Sequence, residues 1–77
     1  MKQKILGLMQ KINEEIPDDP KFDLLAGGIL DSYDMVNAVS KLEEEFDIEM
    51  EPNDIVSDNF RSIDSMYRLV QNYLMRG

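Results

Sequence analysis

The chain contains no cysteine and no histidine, only three prolines and four glycines, and eight basic side chains against sixteen acidic ones. Each shortage removes a class of structure or chemistry. Without cysteine no disulfide staples this short chain, and with histidine also missing there is no conventional zinc site. Without histidine no Ser-His pair can form. Lys41 lies about two and a half helical turns from Ser32, too far to act as its base. With no general base, metal site or phosphate loop in view, the chain is not read as an enzyme. Long apolar runs are missing too. No segment is apolar enough to span a membrane, and Gly7, Gln10 and Lys11 break the run after Met1, so no signal-peptide core is expected. A cysteine-free chain suits a reducing compartment, and the expected location is cytoplasmic. The scarcity of positive charge leaves a formal net charge of −8, which opposes binding to phosphate backbones and anionic membrane surfaces. Neither nucleic acid nor membrane insertion is expected.

Seventy-seven residues make a single domain, 1–77, with an expected radius of gyration of about 11 to 12 Å. The pattern within it is helical. Ile5, Met9, Ile12 and Ile16 fall in one arc with Leu8 beside them, predicting an amphipathic helix from about Lys2 to Glu15 that Pro17 ends. A long connection follows to Leu30, turn-rich at its start, with Phe22, Leu24, Leu25, Ile29 and Leu30 as expected anchors onto the core. Gly27-Gly28 predicts a turn with positive φ. From Tyr33 to Phe46 there is neither Gly nor Pro, and Met35, Val39, Leu42 and Phe46 share a face flanked by Ala38, predicting a second helix. The segment from Asp47 then runs extended, with Ile48 and Met50 alternating to cover the end of the core. A short turn or helix is expected from Pro52. Asp54, Asp58 and Asn59 lack the spacing and glycine of a calcium loop and are read as solvated residues or caps. Ser62 is the expected N-cap of a last helix with Ile63, Tyr67, Val70 and Leu74 on one face, Met66 and Tyr73 at its flanks, Arg68 and Arg76 toward its C-terminus, and Gly77 after it. The predicted fold is all-α: a small bundle of three main helices plus one short helix, monomeric.

The stretch from Gly27 to Met35 carries the candidate function. It delivers Ser32 to the electropositive end of the second helix, where Asp31 and Ser32 are both good N-cap residues. A serine so placed can be a nucleophile, a plain cap, or an attachment point for an anionic group. The missing histidine disfavours the first. The helix N-terminus favours a phosphodiester through its free backbone N–H groups and its dipole.

Gly28-Ile29-Leu30-Asp31-Ser32-Tyr33 resembles the modification motif of the acyl carrier proteins, a glycine shortly before Asp-Ser and a hydrophobic residue. Leu42-Glu43-Glu44-Glu45-Phe46-Asp47-Ile48 and the Phe60-Arg61-Ser62-Ile63 step into the last helix extend the resemblance over nearly the whole chain. The residue after the serine is usually Leu or Met in that family and is Tyr33 here. The resemblance implies that Ser32 is esterified by a 4′-phosphopantetheine arm donated from coenzyme A, whose terminal thiol carries acyl or aminoacyl groups as thioesters. It also implies a phosphopantetheinyl transferase as partner, followed by loading and acyl-transfer enzymes with basic docking patches. The cargo would belong to fatty acid, polyketide, peptide or D-alanyl transfer chemistry.

One shoulder of the second helix, Tyr33, Val36, Asn37, Ser40, Glu43 and Glu44, mixes apolar and acidic residues on the side that begins at Ser32. The resemblance makes it a docking surface, with Asp31, Tyr33, Asp34, Val36, Glu43 and Glu44 as the docking positions. Glu43 and Glu44 are expected to face solvent. The alternative is a small acidic interaction module whose helical face binds a partner, with Ser32 acting only as a helix cap.

Overall fold

A computed structural model describes residues 1–76; Gly77, expected after the last helix, lies outside the described residues. Among the described residues four α-helices follow one another: α1 over Lys2–Ile12, α2 over Ser32–Phe46, α3 over Ser57–Phe60 and α4 over Ile63–Met75, with a 3-10 turn at Pro52–Asp54. No strand occurs among the described residues. The architecture is a small all-helical bundle of three longer helices and one short one. Its radius of gyration is 11.2 Å, inside the range expected for its length.

α1 forms because Ile5, Leu8 and Met9 recur at helical spacing and bury together. It stops at Ile12, not at Glu15 as the position of Pro17 suggested. The cause is Asn13, whose backbone is extended (φ −145°, ψ 109°). Its side-chain oxygen accepts from the Glu15 N–H at 2.9 Å, and its amide donates to the Ile29 carbonyl at 2.9 Å. A short polar side chain that bonds locally competes with helix propagation, and here it also gains a tertiary partner. Ile16 is buried all the same, although it lies outside the helix.

α2 begins at a well-made cap. Asp31 is extended and its carboxylate accepts from the Asp34 N–H at 2.8 Å. Ala38, Val39 and Leu42 form its fully buried strip, while Met35 and Phe46 pack against the core only in part. The helix ends where Asp47 turns left-handed (φ 53°), a conformation that aspartate tolerates better than most residues. Met50 is then buried and Ile48 half-buried, so the extended segment does close the end of the core. Pro52 opens the 3-10 turn, as its preset φ favours.

α3 is one turn long and serves mainly to bury Phe60. Ser62 then caps α4, its hydroxyl accepting from the Ser65 N–H at 3.1 Å. The buried strip of α4 is Ile63, Met66, Leu69 and Val70. It is rotated from the expected face: Leu74 is exposed and Tyr67 half-buried, while Leu69 faces inward. Lys2 ties the two N-terminal ends together, its ammonium 2.8 Å from Asp64 Oδ1 and 5.2 Å from the centre of the Tyr67 ring. No helix among the described residues is long and apolar enough to cross a membrane.

Candidate functional site

The loop before Ser32 is held by a chain of hydrogen bonds. Asp23 Oδ1 accepts from the N–H groups of Leu25 and Ala26 at 3.1 and 2.9 Å, a local turn of the kind aspartate builds readily. The carbonyl of Leu24 accepts from Ile29 and Leu30, and that of Leu25 from Gly28. Leu24 and Leu30 are buried and fix the two ends of this turn to the core. Gly28 has φ +71°, which requires glycine for the reason expected from sequence. Gly27 is there for a different reason: a Cβ would lie 3.3 Å from both the Asp23 carbonyl and the Phe22 ring. Phe22 is therefore not a core anchor. It is exposed at the surface and covers the glycine.

Ser32 leaves this loop as the first residue of α2, exposed to solvent. Of the two possible caps, Asp31 does the capping, so the serine hydroxyl is not committed to the helix end. Asp31 satisfies the N–H of Asp34, and the Asp31 carbonyl accepts from Met35 at 3.0 Å. The N–H groups of Ser32 and Tyr33 belong to the turn that has no intrahelical acceptor. They are the donors a phosphate on Ser32 would meet. The space beside Gly28 is open, with no atom within 4 Å of the position a Cβ would take there. These features fit an anionic arm at the serine, against which stands the negative charge of the neighbouring Asp31.

On the shoulder of α2, Tyr33 is 74% and Val36 64% exposed, large values for apolar side chains one turn apart. Glu44 is exposed and borders a shallow groove with Leu8, Lys11, Lys41 and Glu45. Asp34 is half-buried. Glu43 departs from expectation. It is half-buried, and its Oε2 accepts from the Met50 N–H at 2.8 Å while its carbonyl accepts from Ile48. Its carboxylate braces the extended segment and does not simply face solvent.

Two carboxyl groups near the loop are shifted. The Ala26 N–H, and then the Arg61 guanidinium, hold the Asp23 carboxyl below the usual carboxylate range. The hydrogen bond from Lys2 does the same for Asp64. Asp54, expected to be solvated or capping, is engaged instead, while Asp58 is exposed to solvent as expected. Asp54 accepts from the Tyr73 hydroxyl, which also accepts from the Glu51 N–H, and Asp58 pairs with Arg61 at 3.3 Å. Asp23 was not among the residues that the sequence singled out, and Arg61 entered only as part of the Phe60–Ile63 step into the last helix. An aspartate two and three residues before the amides it caps is a readable turn signal, but a partner 38 residues away leaves no local trace.

No protein-family model, curated protein or solved structure matches the chain.

Proposed function

We propose that the protein is a carrier and not itself an enzyme, with Ser32 the attachment point for a 4′-phosphopantetheine arm. The observation that carries this reading is an exposed serine at the first position of a fifteen-residue helix whose cap is supplied by its neighbour, Asp31. Attachment joins Ser32 Oγ to the phosphorus of coenzyme A that bears the pantetheine, with the bond to the adenosine 3′,5′-bisphosphate leaving group broken. The serine proton passes to a base on the transferase, since this chain offers no histidine. The arm supplies the thiol chemistry, holding acyl or aminoacyl groups as thioesters. The chain's own residues present it. The Gly28 turn and buried Leu30 set where the serine emerges, and the first-turn N–H groups of Ser32 and Tyr33 would hold the phosphodiester.

Partners under this reading are a phosphopantetheinyl transferase and the loading and transfer enzymes of fatty acid, polyketide, peptide or D-alanyl pathways, met in the cytoplasm by a monomeric carrier. Tyr33 and Val36 provide the apolar contact, and Asp31, Asp34, Glu43 and Glu44 the acidic surroundings that attract basic patches. The exposure of Tyr33 and Val36 equally favours a second reading, an acidic interaction module that needs no arm.

Mass measurement separates the two. Folded protein is incubated with coenzyme A, magnesium and a broad-specificity transferase and then weighed. One added phosphopantetheine on the wild type and none on Ser32→Ala is the expected result. A folded wild type that gains no mass supports the interaction module.

A further inference from the structure

We propose that the Asp23–Arg61 ion pair is a positioning device for Ser32, fixing the turn from which the serine emerges to the corner between α3 and α4. Arg61 holds the same stretch of loop twice. Its carbonyl accepts from the Leu24 N–H at 2.7 Å, and its Nη1 donates to Asp23 Oδ2 at 3.0 Å. The other oxygen of Asp23 closes the turn onto the amides of Leu25 and Ala26. Leu24 and Leu25 in turn supply the carbonyls that receive Gly28, Ile29 and Leu30. Leu30 is buried and precedes the Asp31 cap directly. Every link from the guanidinium to the serine is therefore a hydrogen bond or a peptide bond. Asp58 of α3 shares the same guanidinium, which orients it toward the loop.

The functional part of this inference rests on Ser32 being the attachment serine; the structural part does not. A loop that is released samples arrangements in which the serine is wrongly presented, and a partner then sees only the competent fraction. Its apparent binding constant rises by the reciprocal of that fraction, while turnover of the bound complex is unchanged. The pair is partly exposed, with side-chain accessibilities of 45% and 39%, and pairs of that kind correspond to about two- to fivefold in such an equilibrium.

Two variants test it on the full chain. Asp23→Asn retains an oxygen for the Leu25 and Ala26 amides but gives up the charged partner of Arg61. Arg61→Ala removes the guanidinium and leaves the carbonyl that holds Leu24. Each is expected to raise the transferase KM for the carrier, by at most about fivefold, at unchanged kcat, and the double variant is expected to be no worse than either single one. Arg61→Lys should recover part of the loss. Amide hydrogen exchange is the second readout, independent of any modification: Gly28, Ile29 and Leu30 should exchange faster by a similar factor, with the buried amides of α1 and α4 unchanged. Unaltered exchange at those three amides in both variants overturns the positioning role. So does faster exchange spread evenly through the bundle, which marks a general loss of stability. If wild type is not modified at all while the exchange result holds, the carrier reading fails and the loop clamp stands.

Discussion

Glu43 and Glu44 are adjacent and chemically identical, yet the fold gives them different tasks. Glu44 is exposed beside the groove with Lys11 and Lys41, whereas the Glu43 carboxylate receives the Met50 N–H at 2.8 Å. A charged acceptor on a partly buried N–H contributes on the order of 1.5–3 kcal/mol. Glu43→Ala should therefore lower the free energy of urea unfolding by about 2 kcal/mol. Glu43→Gln keeps an oxygen in place and should cost less. Glu44→Lys should fall within about 0.5 kcal/mol of wild type. An unchanged urea midpoint in Glu43→Ala would show that the brace contributes nothing. The distinction also decides how docking is tested. Reversal of charge at Glu43 mixes lost steering with lost structure, while under the proposed function Glu44→Lys should slow a basic partner's arrival at low salt, and less so at high salt, without unfolding the bundle.

At the scale of elements, the helices whose ends are made by nearby residues are the ones the sequence discloses. α2 is announced by Asp31, by its uninterrupted run to Phe46 and by its apolar spacing; α4 is announced by Ser62 three residues before the amide it caps. The end of α1 is not disclosed, because Asn13 finds its partner at Ile29, sixteen residues on. α3 is too short at four residues to leave a periodic signature. The face of α4 is misjudged because both strips are apolar at helical spacing, and only contact with α1 and α3 selects Met66 and Leu69 over Tyr67 and Leu74. Likewise the motif around Ser32 is visible in the sequence, but which of Asp31 and Ser32 is the cap is settled by geometry. That geometry makes Asp31→Ala cost about 1 kcal/mol, whereas Ser32→Ala should leave stability within about 0.5 kcal/mol of wild type; urea melts of the two variants check it, and the reverse order would return the serine to the role of cap. The joint between α1 and α4 should respond to acid. Lys2 lowers the Asp64 pKa below 3.8 in the folded chain, so the stabilisation is present above 3.8 and is lost as pH falls through the lower, folded value. Asp64→Asn should accordingly lose less stability than wild type between melts taken above and well below pH 3.8. Equal losses would mean that the pair contributes nothing to the acid limb.

For the whole molecule, the governing quantity is charge density. Sixteen carboxylates and eight cations share a body of 33 × 23 × 18 Å. Among the described residues, the ion pairs engage only Asp23, Glu45, Asp58 and Asp64. The other carboxylates repel one another across distances set by the size of the bundle. At about 0.01 M salt the screening length is roughly 30 Å, comparable to the longest dimension, so nearly all of that repulsion acts; at about 1 M it is roughly 3 Å, and only immediate neighbours interact. Salt also weakens the four engaged carboxylates. Those pairs involve partly exposed side chains, however, and such pairs are individually weak, while relief of repulsion extends over the whole surface. With no disulfide and a small core to oppose it, self-repulsion is a large share of what limits this fold. The melting temperature should therefore rise with NaCl between those two concentrations, by about 5 °C or more, since 1 kcal/mol corresponds to roughly 4–8 °C in a domain of this size. Glu44→Lys, which removes one negative charge and adds a positive one, should melt higher than wild type at low salt and lose that advantage at high salt. A flat salt dependence together with no low-salt gain in Glu44→Lys would show that packing limits the bundle and the acidic surface is held at no cost to stability.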